Sequence, residues 1–237
     1  MKKTGFYSLV CLFLIGCGGG GTTTPDDSVT PPILQDDVNT ILAKDLNLTK
    51  DINDDELVID SNALIKDQYL TVINYLRSLK IKCNDSHGKK GPVSSIEWNQ
   101  LLADASQEHS DDMNTSGVYS HDGSGTVLDI TGSIGSPSTP AERVAATGYV
   151  GQAGENIAAH IRAYKNAEGK PTNFEPVDSD TWILIIEKWM ISKKGHCSNL
   201  MNPDNKSFGM HETGTRIDDN GTHTLYSTYW TQEFGNQ

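Results

Sequence analysis

Seven histidines and four cysteines are the side chains of this 237-residue chain best able to hold a metal, move a proton or react with one another. A neutral imidazole ligates divalent ions and titrates near neutral pH, while thiols ligate as thiolates or oxidise in pairs. Their spacing matches none of the compact reactive motifs. The chain has no His-Glu-x-x-His, no Ser-His-Asp order, no glycine-rich phosphate loop and no nucleophile elbow. His109 shares a helical face with Trp98, Leu101, Leu102, Ala105 and Met113, so it reads as a core histidine. His87, His160 and His223 have no partner motif, and His211, one residue beyond Met210 on an expected strand, is a reserve ligand.

Two of the cysteines lie in the first 17 residues. Met1-Lys2-Lys3 is followed by an apolar run from Phe6 to Ile15, broken by Ser8 and Cys11, and then by Gly16-Cys17. A basic start, a short apolar stretch and small residues at the end form an export signal over residues 1–16. Leu14-Ile15-Gly16-Cys17 resembles the lipobox of bacterial lipoproteins. That resemblance implies that Cys17 becomes the first mature residue and carries acyl chains, each buried CH₂ adding about 0.8 kcal/mol to membrane anchoring. A plain secretory signal with an incidental Cys17 is the alternative. Export would leave Cys83 and Cys197 as a pair in an oxidising compartment, and the expectation is a disulfide between them. Two buried free thiols are the other reading. A zinc knuckle lacks its second Cys-x-x-Cys.

Charge narrows the partners. Lys and Arg number 19 against 31 Asp and Glu, giving a formal charge of -12, and loss of residues 1–16 removes Lys2 and Lys3 but no acid. Such a surface repels phosphate backbones, so nucleic acid is not an expected partner. No apolar stretch reaches the 18 or so residues of a helical membrane span, which excludes a polytopic helical protein.

The elements that must position any site follow from periodicity. Residues 17–62 open with Gly18 to Gly21, pass through Pro25, Pro31 and Pro32, and carry a run of aspartates, a composition that reads as an acidic tether. Val38 to Leu48 within it is weakly amphipathic and could form a short helix. Residues 63–237 form one domain. Ile65, Tyr69, Val72, Ile73, Leu76 and Leu79 mark the buried face of a first helix, and Ser94-Ser95-Ile96-Glu97 reads as the capping box of a second. Residues 122–140, rich in Gly, Ser, Thr and Pro, read as a long loop before a short helix at Ala141 to Ala146. Asp178 to Thr181 is expected to cap an apolar helix with Trp182, Ile185, Ile186 and Trp189 facing inward. The last third reads as strands, with a tight turn at Asp218-Asp219-Asn220-Gly221, and another strand is expected near Gly154 to His160.

A series of motifs in order carries a second resemblance. Asn74-Tyr75-Leu76-Arg77, Trp98-Asn99 with Leu102, and His109-Ser110-Asp111-Asp112-Met113 come first, followed by Tyr119-Ser120-His121 and by Arg143 before Gly148-Tyr149. Gly154-Glu155-Asn156-Ile157-Ala158, Trp189-Met190, Gly195-His196-Cys197-Ser198-Asn199 and Tyr229-Trp230-Thr231-Gln232 complete it. The series resembles the CAP superfamily, also called the SCP domain, and within it the bacterial branch. The resemblance implies an α+β fold, a three-layer α/β/α sandwich with a central antiparallel sheet. It also implies a cleft with two histidines and two acids, onto which His121, Glu155 and His196 carry over. Two imidazoles and a carboxylate could hold zinc or another divalent cation, with Glu155 orienting or deprotonating a bound water. The fourth member is missing: the eukaryotic branch has its second acid one turn after the helix tryptophan, where this chain has Ser192, and Glu187 points around the helix from there.

The expected function is an exported CAP module, anchored to a membrane through acylated Cys17. It would bind a small hydrophobic ligand or a protein through the cleft. The alternative is a metal-assisted hydrolase acting on peptide or envelope polymer, with Glu155 as its catalytic group. The expected location is a bacterial cell envelope, at the outer membrane if the cell is Gram-negative, facing the periplasm or the surface.

Overall fold

The structure is a computed structural model that describes residues 9–15, 40–42, 56–60, 62–88, 91–165, 181–219 and 223–237. Its frame is an antiparallel sheet built on two long strands, β5 (Ala153–Lys165) and β8 (His223–Gly235), paired along their whole length. β6 (Ser207–Glu212) adds to the other edge of β8, and β4 (Glu97–Trp98) pairs with β6 in parallel. β7 (Arg216–Asp219) makes a hairpin with the start of β8, and β1 (Leu9–Ile15) lies antiparallel on the free edge of β5.

Strand alternation gives each face of this sheet its own helices. On one face Ala158, Phe208, Met210, Trp230 and Phe234 pack against α1 (Ile65–Ser78) and α4 (Thr181–Ile191). Trp182, Ile185, Ile186 and Trp189 of α4 are all buried there, as their helical spacing requires. On the opposite face Ile157, Ala159 and Tyr229 pack with Met113 of α2 (Gln100–Ser116), and α3 (Pro140–Ala146) lies beside α2. The result is the expected α+β sandwich of helices, sheet and helices. Gly209 lets α2 lie directly on β6, because a Cβ there would collide with the Ala103 backbone. Ser106 and Ser110 then donate to the Gly209 and His211 carbonyls.

Several local expectations change. Ser94 to Glu97 does not cap a helix: the Glu97 and Asn99 amides donate to the Lys206 and Phe208 carbonyls, so sheet pairing takes this segment. α2 starts later, with Asn99 accepting from the Leu101 and Leu102 amides. The capping box lies elsewhere, with Thr139 and Glu142 bonding each other's end amides at the start of α3. Ile65, expected in the core, is exposed on the first turn of α1. Thr40–Leu42 forms β2, paired antiparallel with β3 (Glu56–Val58), where a short helix was expected. The end of the expected tether also joins the core, since Leu57 and Ile59 are buried with the α1 and α4 side chains. The expected cap at Asp178 to Asp180 and the tight turn at Asn220-Gly221 fall outside the described residues.

Cys83 and Cys197 form a disulfide across a separation of 114 residues, with Cα atoms 5.5 Å apart. It joins the segment after α1 to α5 (His196–Leu200), the short helix that follows α4. Beside it Asp85 accepts from the amide and hydroxyl of Ser198. Burial alone would raise the Asp85 pKa, but these bonds and those from the His87 and Gly88 amides lower it.

Candidate functional site

The site is organised around one buried carboxylate. Glu155 sits two residues into β5, on the face that carries Ile157 and Ala159 and looks toward α2 and α3. Arg143, buried on α3, donates from Nη2 to Glu155 Oε2 at 2.7 Å and to the His121 carbonyl at 2.7 Å. His121, in the loop after α2, places Nδ1 2.5 Å from Glu155 Oε1. Its side chain keeps 14% exposure, whereas that of Glu155 keeps none. His109 approaches the same carboxylate from α2, with Nε2 3.8 Å from Glu155 Oε2.

The protonation pattern follows from these contacts. His109 Nε2 lies 2.9 Å from the Ser120 carbonyl, so it must carry the hydrogen, and among the described residues no group partners Nδ1. Burial lowers the His109 pKa despite the opposing pull of Glu155. For Glu155 burial acts upward, but His109, His121 and Arg143 together outweigh it and hold the carboxyl well below its ordinary range. Glu155 is therefore an anion with a dedicated cation, Arg143, and it fixes the ring of His121.

His196 is held differently. It opens α5 directly after Gly195, whose φ of 94° is a left-handed conformation that glycine adopts without steric cost. Its Nδ1 lies 2.9 Å from Ser192 Oγ, its carbonyl accepts from Asn156 Nδ2, and its ring lies 6.4 Å from that of Trp189. Ser192 thus does face the second histidine, with a neutral hydroxyl. Glu155 and Asn156 are consecutive on β5, so they project to opposite faces, Glu155 serving His121 and Asn156 serving His196.

Glu155 orients His121 and is not placed as a third ligand beside His121 and His196. The Nδ1 atoms of both histidines are engaged, and both Glu155 oxygens are occupied by His121 and Arg143. Among the described residues no group of three or more His, Cys, Asp or Glu side chains could hold a metal ion.

Two neighbours escaped the sequence reading as members of the site. Arg143 appears there only as part of a motif, since nothing in its spacing points to Glu155. Glu233 is directly opposite Glu155 in the β5–β8 register, so the two buried side chains share a face. Alternation along β8 would have placed Glu233 with Tyr229 and Thr231, but its partner strand is not legible in sequence.

The motifs that build this site lie within a longer match: the family model for the cysteine-rich secretory protein family, CAP, covers residues 70–234. The chain belongs to that family. No curated protein and no solved structure matches it significantly. The CAP region takes in α1 from Leu70, the helices α2 to α5 and the sheet through Phe234, and with them His109, His121, Arg143, Glu155, Ser192 and His196. His211 lies apart, on β6 near Asp111; burial lowers its pKa, with Asp111 opposing. Among the described residues no helix is long and apolar enough to cross a membrane.

Proposed function

We propose that this CAP domain is an exported, lipid-anchored binding module whose ligand meets the protein at His121. The observation that supports this best is the asymmetry of the buried charge cluster: Glu155 and Arg143 are closed off from solvent, and His121 alone extends from them to the surface. A ring oriented through Nδ1 by a buried carboxylate presents one fixed edge at the surface, which confers geometric selectivity at little entropic cost. The lipobox-like Leu14-Ile15-Gly16-Cys17 supplies the anchor in this reading, in a bacterial envelope, with the acidic segment after Cys17 as spacer. The ligand is a small hydrophobic molecule or a protein segment. Lipid extracted from the purified protein and quantified by mass spectrometry tests this, and His121→Ala should reduce the co-purifying ligand at least tenfold. Equal recovery from both proteins would remove His121 from the function.

A hydrolase is the second reading, favoured by one feature. A carboxylate on Nδ1 of a surface-reaching imidazole is the arrangement that orients a general base. Peptide or envelope-polymer hydrolysis by the wild type that disappears in Glu155→Gln would put this reading first.

A further inference from the structure

The loop between His121 and α3 has an unusual surface. Residues 123–139 contain one ionisable side chain, Asp129, in a chain that is 21% charged. Asp129 is buried, and its carboxylate accepts from the amides of Gly125, Gly132 and Ser138. Burial acts to raise its pKa, but those bonds prevail and lower it, so its charge is satisfied inside the loop. Outward the loop presents Val127, Ile130 and Ile134, exposed by 77%, 81% and 78%. Isolated exposed aliphatics are ordinary, but three on one loop whose single charge is buried are not.

The backbone holds this display rigid. The neck closes where the Gly123 amide donates to the Ser138 carbonyl, and Arg143 Nη1 clamps Ser138 through its carbonyl and hydroxyl. Gly135 donates to the Gly125 carbonyl, bringing the turn that carries Ile134 beside the one that carries Val127. Glu108 of α2 accepts from the amide and hydroxyl of Thr131, fixing the residue next to Ile130. The Ser124 and Thr131 amides donate to Asp112 and Glu108 of α2, and among the described residues the loop amides with no protein acceptor are those of Val127, Ile130 and Ile134. Among the described residues, each exposed aliphatic thus has an N–H donor without a protein acceptor at its base.

We propose that residues 123–138 form a membrane-inserting loop, in which Val127, Ile130 and Ile134 enter the acyl region of an uncharged, zwitterionic bilayer while their amides donate to headgroup phosphate oxygens. A lipid surface suits these observations better than a protein. Protein interfaces are enriched in Trp, Tyr, Met and Arg, none of which the loop contains. Lipid insertion demands that polar backbone be satisfied internally or at the headgroup level, as it is here. The acidic surface and the lack of Lys or Arg in the loop exclude attraction to anionic lipid. Arg143 joins the loop's neck to Glu155 and to the His121 carbonyl, so insertion sets His121 at the membrane surface. The inference stands on the loop alone, whether or not Cys17 is acylated.

The experiment adds one tryptophan reporter. The four native tryptophans are buried or partly buried, so in the full chain with phosphatidylcholine vesicles, Ile130→Trp adds a fluorophore at the tip of the loop. Vesicles with brominated acyl chains should quench that added emission at least threefold more than they quench Ile217→Trp, an exposed control on β7. Combining Ile130→Trp with Val127→Ser and Ile134→Ser should abolish the difference, and raising salt should not. Equal quenching at the two positions overturns the proposal. So does a concentration-dependent dimer that protects the loop without lipid, which would give this face to a second copy of the chain. Acylation is read separately, from the mass of the mature N-terminus, so failure of the anchor and failure of the loop are distinguishable.

Discussion

At the residue scale, Glu155 is where stability and the proposed function meet. It is a buried anion opposite a buried Glu233, and its Arg143 bond and imidazole contacts are what offset the desolvation of its charge. Glu155→Gln keeps the shape but leaves Arg143 without a counter-charge, so denaturant unfolding at pH 7 should show a loss of about 3 kcal/mol. Because the folded-state pKa of Glu155 is depressed, its contribution is present above the unfolded-state pKa and fades as pH falls through the folded value. The difference between wild type and variant should therefore shrink in acid. Glu212 behaves in the opposite sense. Burial at the end of β6 raises its pKa to about 7, with the Trp230 indole only partly opposing. Its folded pKa exceeds the unfolded one, so its contribution is complete below about pH 4.5 and is lost as pH rises toward 7. Glu212→Gln should stabilise the protein by about 2 kcal/mol at pH 8 and by little at pH 4, as thermal melts would show.

At the element scale, the edge of β5 is where the proposed export signal touches the fold. β1 is the apolar run of the expected export signal, and it pairs with β5 from Leu9 opposite Ala163 to Ile15 opposite Ile157. Cleavage before Cys17, as proposed, would remove this strand and leave the outer hydrogen-bonding groups of Ile157 to Ala163 without a partner strand. Exposed edges of that kind exchange their amides quickly. Hydrogen exchange should show alternate amides of Ile157 to Ala163 protected in the uncleaved chain and faster by at least tenfold after cleavage. Uniform protection in both forms would mean that β1 contributes nothing to this edge.

At the scale of the whole molecule, the Cys83–Cys197 disulfide ties the end of α1 to α5, on the same side of the sheet as α4. Closing a loop of 114 residues restricts the unfolded chain, which the loop-entropy treatment values at about 4 to 5 kcal/mol. Cys197→Ser should lower unfolding free energy by about 2 to 5 kcal/mol, read from urea melts. Cys83 and Cys197 are both buried, so the reduced wild type should lose a comparable amount. A double Cys83→Ser, Cys197→Ser variant as stable as the oxidised protein would show that packing alone holds these elements together.

Sequence by itself determined the elements whose signals are local. The apolar periods of α1 and α4, the β-rich return strand β8 and the cysteine pair all depend on side-chain type at fixed spacing, so they are legible without coordinates. Where local signals compete, sequence fails: Ser94 to Glu97 satisfies a capping pattern, but its backbone gains more from pairing with β6. The site divides in the same way. Ordered motifs single out His121, Glu155 and His196, yet only strand alternation decides that Glu155 and Asn156 serve different histidines. Only register puts Glu233 opposite Glu155, and only the packing of α3 brings Arg143 to that carboxylate. These last facts join residues tens of positions apart, and the free energies that decide them, desolvation and long-range hydrogen bonding, exist only once the chain has closed around them.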